Sequence, residues 1–445
     1  MSYIQNIKKS WDVILDNIFS ALNEKEELTL NLNAEDSVFV RFNDAKVRQN
    51  TQVEQANLEL RLQNETQQIQ FTFPLQGNAE VDLTNALKHL TKLRNDLQSS
   101  PADPFVVAHS NNGSSLKEFS GDLVNPETAV AQIIQAAQGT DFAGLYCAGP
   151  KVIANANSLG QRHYFSNLSF FVDYSLYDGS KAVKDLYAGS VWSAEKLAEK
   201  IKQSREKLAL MGKAKIKLTP GEYRTYLAPG ALTEVATMFM WGAFSYQNYK
   251  RGGSALMKLV DGQEKFSPLV SIFEDFSTGM TPTFNQLGEV AKEKTALIQD
   301  GELKTLLVST RSAKEFSTES NQASTSESPR AMNILPGNLP SSEVLKKLGT
   351  GIYLSNLHYL NWSDVQGARI TGMTRYACFW VENGEIQGPI EDMRFDDSLY
   401  NILGKNLEAL TTESEFNPAT DTYHQRSIGG YFNPGALLSN FKLTL

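Results

Sequence analysis

The sequence predicts an α+β fold, an N-terminal α/β region of antiparallel sheet with covering helices followed by a C-terminal domain built on extended antiparallel β-sheet. Three observations carry this. Alternation of apolar and polar residues is strong in stretches such as Val53–Gln63 and Tyr164–Tyr174, the period of a half-buried strand. Helical periodicity is confined to separate segments that can cover such a sheet. The C-terminal half is richer in strand and turn signals, among them the hairpin pairs Asp300-Gly301 and Asn383-Gly384. At 445 residues the chain exceeds one typical domain. The expected division is 1–215, itself two modules of about 1–110 and 120–215, and then 216–445, with the boundary near Lys213–Leu218 and Thr219-Pro-Gly-Glu222.

Taken in order, Met1–Phe19 keeps apolar residues at helical spacing without a continuous apolar core, so it reads as an amphipathic helix and not a signal peptide. Leu28–Leu32, Ser37–Phe42 and Val53–Gln63 read as strands of a meander joined by short polar turns, and Gln67–Phe73 adds another. Leu83, Ala86, Leu87, Leu90 and Leu93 form a helical face within Asp82–Leu97. Asn125–Ala137 is a second helix. Asn157-Ser158-Leu159-Gly160 supplies a tight reversal between strands. Trp192–Gly212 is a helix with Ser193 as N-cap and Gly212 as its stop. Further on, Leu269–Phe273 reads as a strand, and Ser317–Arg330, which has almost no apolar residues, as a mobile loop.

Lys+Arg 42 against Asp+Glu 50 gives a net charge of -8, and no basic cluster of the kind that neutralises phosphates is present, so direct nucleic-acid binding is disfavoured. Cys147 and Cys378 form no CxxC pair, which suits a reducing compartment and a cytoplasmic location. No run approaches the ~20 apolar residues of a membrane span. The histidines His89, His109, His163, His358 and His424 include no pair with metal-ligand spacing. Cys378 sits in an alternating strand, where a buried apolar role is the simpler reading than a thiol nucleophile with His358.

One stretch organises the functional reading. Leu227–Phe244 contains Ala-Pro-Gly-Ala-Leu followed by Thr233-Glu234-Val-Ala-Thr-Met238. A helical zinc-protease motif presents two imidazoles with a glutamate beside the first as general base; here the glutamate stands without them. Leu232, Val235, Ala236, Met238, Phe239, Trp241 and Phe244 cover most of the helix surface and predict its burial. Glu234 is either a leftover base or a first-turn acid favoured by the helix dipole. The second reading is preferred, because a base with no polarised water has no chemistry to perform.

This segment resembles the motif-bearing segment of the TldD/PmbA family, whose TldD-type members read His-Glu-x-x-x-His there. So do Arg41–Gln49, the strand-turn-strand around Asn157, Ser158 and Gly160, the turn Thr283–Gly288 with Asn285 where an acid is usual, and the closing strands Thr350–His358, Thr371–Ile390 and Met393–Leu399. The resemblance implies degenerate metal positions at Thr233 and Met238, and the cysteine that serves as third ligand has no counterpart in Tyr431–Leu445. It therefore implies no cofactor in this chain and zinc only in a TldD-like protease partner. The chain is then a TldE/PmbA-type subunit, inactive alone, assisting proteolysis or maturation of unfolded and leader peptides as a heterodimer or homodimer. Arg41, Arg48, Asn157 and Arg375 are the candidates for peptide or partner contact. The alternatives are a divergent stand-alone peptidase working through Glu234, and a gyrase-linked regulator.

Overall fold

The amphipathic pattern of the first residues becomes helix α1 (Tyr3–Ile18), started by Ser2, whose hydroxyl accepts from the Gln5 amide while the Gln5 side chain accepts from the Ser2 amide. The computed structural model describes residues 2–445. Helix α1 and helix α2 (Ala79–Leu97) lie on one face of a sheet that contains β1 (Glu27–Asn43), β2 (Lys46–Gln63), β3 (Gln68–Pro74), β4 (Ser114–Phe119), β5 (Asp141–Asn157), β6 (Arg162–Asp178) and β7 (Lys181–Gly189). Its order is β3-β2-β1-β5-β6-β4, with β7 also on β6. Helices α3 (Pro126–Ala137) and α4 (Ala194–Met211) pack against its other end, around Phe142, Tyr146, Phe170, Val172 and Trp192.

The sequence pattern of β1 shows why this sheet has two different faces. Leu28, Leu30, Leu32 and Ala34 point into the cluster built with α1 and α2. The alternate residues Thr29, Asn31, Asn33 and Glu35 point the other way. That second face is polar and nonetheless covered, because loops of the C-terminal half lie on it. Asn155 Nδ2 donates to Gln286 O (3.1 Å), Gln161 Nε2 to Leu287 O (2.9 Å) and Asn167 Nδ2 to Gly279 O (2.9 Å). Arg426 reaches in from the C-terminal loop, donating to the carbonyls of Ser169 and Gly149, while its amide donates to Glu35. Amide side chains of the sheet thus satisfy loop carbonyls, and the Arg426 guanidinium satisfies carbonyls of β5 and β6, that an apolar contact would leave orphaned.

The expected break between Leu32 and Ser37 does not occur. β1 runs unbroken through Asn33–Asp36, since Asn33 and Glu35 belong to the covered polar face of one long strand and Ala34 to its apolar face. The turn comes at Asp44-Ala45, both with φ near +51°, so Arg41–Gln49 is the tip of a hairpin.

The second sheet contains β8 (Gly221–Leu227), β9 (Ile272–Asp275), β10 (Lys294–Gln299), β11 (Glu302–Leu303), β12 (Met332–Ile334), β13 (Gly351–Asp364), β14 (Arg369–Glu382), β15 (Glu385–Pro389), β16 (Arg394–Ser398), β17 (Leu407–Pro418) and β18 (Gly430–Leu443). Strand β8 pairs with both β13 and β18, so β8, β13, β14, β16 and β18 close into a ring. The hairpins at Asp300-Gly301 and Asn383-Gly384 have the positive φ pairs their residues favour (53° and 80°; 51° and 81°). The strand read at Leu269–Phe273 is displaced to Ile272–Asp275, where pairing with β10 and β12 starts.

The polar stretch Ser317–Arg330 is held in place and is not a mobile loop. Asn321 accepts from Val308 N and donates to Leu306 O. Glu327, 1% exposed, accepts from Ser245 Oγ, Gln247 N, Ser309 N and Ser309 Oγ at 2.7–2.9 Å. Its polar side chains serve neighbouring backbone groups, a use that composition alone does not distinguish from solvation.

Candidate functional site

Pro229 and Gly230 open helix α5 (Pro229–Thr237), which packs on β13 and β18 and sends Leu232, Val235 and Ala236 into the same apolar cluster as Leu354, Ile370, Phe395 and Phe441. The helix gives way to a single tight turn at Met238–Met240. The burial expected for this segment holds for Met238, Phe239 and Phe244, whereas Trp241 lies beyond the turn and is 55% exposed. Glu234 is the sixth residue of α5, so it stands in the second turn and not the first, and the dipole reading of its place does not hold.

What Glu234 faces is a cavity of about 190 Å³ between the two sheets. Asp173 of β6, Lys184 and Asp185 of β7, and Lys200, Gln203 and Lys207 of α4 line one side. Pro229, Gly230, Thr233 and Glu234 of α5, Tyr353, Ser355 and Asn356 of β13, and Glu415 and Asn417 of β17 line the other. Its charges are partly paired. Lys200 Nζ lies 3.1 Å from Asp185 and 3.0 Å from Glu415, and Lys184 lies 3.8 Å from Asp173.

The surroundings set the protonation of these groups. Burial works against the Lys200 charge, but Asp185 and Glu415 outweigh it and hold the ammonium well above the usual lysine range. Burial likewise opposes the Asp185 carboxylate, yet Lys200 and Lys207 keep it below the usual carboxylate range. Tyr353 and then, against burial, Asp185 and Glu415 raise Lys207. Burial raises both Glu234 and Asp173, with Lys184 acting in the opposite direction. The cavity therefore holds fixed cations at the α4 end and easily protonated acids near α5.

Of the residues singled out in the sequence, Thr233 and Glu234 line this cavity. Thr233 Oγ1 donates to Pro229 O (2.8 Å) and accepts from Asn433 Nδ2 (2.9 Å) of β18. Met238 is 2% exposed in the apolar cluster. The other candidates lie elsewhere. Arg41 and Arg48 are exposed at the β1/β2 hairpin tip. Asn157 is buried and organises the β5/β6 turn, accepting from the Leu159 amide and donating to Ser110 O. Arg375 is exposed on β14, 5.5 Å over the Tyr376 ring. The Cys378 thiol donates to Arg375 O, and burial pushes it up to about 12; its cross-strand neighbour is Leu354 and not His358.

Sequence reasoning missed the lysines and most of the acids of the cavity. Lys200, Gln203 and Lys207 recur at the i, i+3, i+7 spacing of one helix face. That spacing is the available signal, but on a helix with a separate apolar stripe it reads as a solvated face.

The family model described as PmbA/TldA metallopeptidase C-terminal domain matches residues 220–444, the span from β8 through β18. The chain belongs to the PmbA/TldD family. Solved structures share the fold along nearly its whole length. TldE from Thermococcus kodakarensis superposes with a TM-score of 0.79 at 13% identity, covering 97% of this chain and 100% of that one. A candidate modulator of a DNA gyrase from Thermotoga maritima gives 0.77 at 15%, covering 98% and 100%. A candidate modulator of DNA gyrase from Bacteroides thetaiotaomicron gives 0.73 at 14%, covering 99% and 98%. No curated protein matches the sequence. For a metallopeptidase family the fit of a metal has to be asked of these residues. Zinc takes thiolate, imidazole or carboxylate donors. This PmbA/TldD chain presents a hydroxyl already bonded on both sides at Thr233 and a thioether turned into the core at Met238, which do not fit. No group of three His, Cys, Asp or Glu side chains able to hold a metal occurs among the described residues.

Proposed function

We propose that this chain is a TldE/PmbA-like non-catalytic subunit of a TldD-type zinc metalloprotease, assisting the cleavage of unfolded or leader peptides. The observation that carries the reading is the chemistry of α5 and of the turn that follows it. Where the resemblance places two histidines, Thr233 is engaged by Pro229 and Asn433, and Met238 packs among Leu232, Phe239 and their neighbours. Zinc then belongs to the partner, and this chain contributes cavity walls and peptide-facing surface. The stretch 46–54 of β2 pairs only with β1 and leaves its other edge open, an element that an extended peptide can join by strand addition.

Purification of the chain alone and with a cognate TldD-type chain tests the proposal. Peptidase activity and one zinc per complex are expected only with the partner; zinc and activity in the lone protein would overturn it.

A stand-alone hydrolase is the second reading, and one observation favours it. Glu234 is a half-buried acid whose pKa burial raises, against the pull of Lys184, as with many general acids and bases. Glu234→Gln discriminates: activity of the lone chain that disappears in this variant supports it. A direct role on DNA is opposed by the net charge of -8.

A further inference from the structure

The pairing pattern inside the cavity defines what it is short of. Lys200 is hydrogen-bonded to both Asp185 and Glu415, and Lys184 forms a looser ion pair with Asp173 at 3.8 Å. Among the described residues the Lys207 ammonium and the Glu234 carboxyl of this lining have no ion-pair partner, and the Tyr353 hydroxyl and the Asn356 Nδ2 make no hydrogen bond. They fall into two sets. Lys207 of α4 and Tyr353 of β13 are the donors, and Glu234 of α5 is the acceptor. The first turn of α5 also enters the cavity, at Pro229 and Gly230, without a side-chain cap, and Asn356 Nδ2 lies against Gly230. Uncapped amide groups at a helix start favour an anionic or carbonyl oxygen.

A ligand that uses both sets presents a carboxylate to Lys207 and Tyr353 and an ammonium to Glu234. Charge balance leads to the same answer. Three lysines face four carboxylates, and burial makes Asp173 easier to protonate, which brings the lining to balance with Glu234 as the free carboxylate. A net cation or anion would leave a buried charge uncompensated, whereas a zwitterion does not. The volume of about 190 Å³ suits an amino acid or a dipeptide and not a longer chain.

We infer that the cavity binds a small zwitterion of the amino acid or dipeptide class, with its carboxylate on Lys207 and Tyr353 and its ammonium on Glu234. This deepens the peptide-handling reading at the same site and rests on it only for the source of the ligand. The test needs no partner chain, so loss of partner-dependent activity and loss of this binding are separate results. The purified chain is titrated with Ala-Ala, N-acetyl-Ala-Ala and Ala-Ala-amide by calorimetry, with a thermal shift as second readout. Free Ala-Ala is expected to bind, and each cap to weaken binding by about tenfold or more, the effect of losing one charge-assisted contact. Lys207→Met should abolish the penalty of the C-terminal amide alone, and Glu234→Gln that of the N-terminal acetyl alone. No binding of Ala-Ala, or equal binding of free and capped forms by the wild-type chain, overturns the inference whether or not the variants fold. So does a cap penalty that survives its matching variant.

Discussion

Replacing Lys151 by methionine isolates the cost of the polar face between the two sheets. Lys151 lies on β5 directly across from Glu35, is 1% exposed, and donates to Asn33 Oδ1 at 2.8 Å. Burial lowers its pKa from 10.5 to about 8; Glu35 pulls it back up and Arg426 pushes it further down. A folded value below the unfolded one means that the unfolded chain holds more protons between those pH values, so stability rises with pH across that window. The drop of roughly 2.5 corresponds to about 3 kcal/mol at 1.36 kcal/mol per pKa unit, present as a penalty at pH 7 and gone above pH 10.5. Methionine of similar length removes the penalty and sacrifices one hydrogen bond of about 1 kcal/mol. Lys151→Met should therefore be about 2 kcal/mol more stable than wild type at pH 7, with the difference vanishing or reversing near pH 10.5. Urea unfolding of both proteins across pH 7 to 10.5 measures this. Comparing them cancels Cys147, whose thiol burial holds up near 12, and the buried tyrosines. A difference that stays flat with pH, or a methionine variant less stable at pH 7, refutes the reasoning.

Three other outcomes follow from the same geometry. Lys200→Met leaves Asp185 buried without its cation and should cost about 3 kcal/mol near pH 7, less than a fully enclosed pair because Glu415 is half exposed; Asp185, held below the usual range, contributes above its unfolded pKa and ceases to do so as pH falls through its folded value, so the cost must shrink in acid, and a double-mutant cycle with Asp185→Asn must show coupling. Glu327→Ala orphans donors from Ser245, Gln247 and Ser309, which should cost about 3 kcal/mol or more and open residues 317–330 to limited proteolysis; an unchanged urea midpoint and cleavage pattern would count against it. Thr233→His with Met238→His is expected to lose stability by at least about 2 kcal/mol, since the second imidazole enters the apolar cluster, and to bind no stoichiometric zinc by elemental analysis; one zinc per chain would contradict the placement of these residues.

Local chemistry was legible in the sequence wherever it acts within a few residues. Ser193 and Asn125 cap helices α4 and α3 by accepting the amide three residues on. Asn383-Gly384 and Asp300-Gly301 turn their hairpins because asparagine, aspartate and glycine tolerate positive φ. The apolar positions of β1 and α2 announce the face they bury. The α+β class and the absence, among the described residues, of a helix long and apolar enough to cross a membrane rest on the same short-range patterns.

What a polar residue faces was decided only by tertiary structure. Asn33 to Asp36 look like a turn and are strand, Ser317 to Arg330 look like a solvated loop and are pinned by Glu327 and Asn321, and Lys200 and Lys207 look like a solvent face and line a cavity. Thr233 and Glu234 are adjacent in the chain, yet one is tied to β18 and the other faces the cavity that α4, β6 and β7 also line. An apolar side chain has one stable destination and so reveals it by periodicity. A charged or amide side chain is satisfied equally by water, a backbone carbonyl or an opposite charge, and only the packing of two distant sheets selects among them.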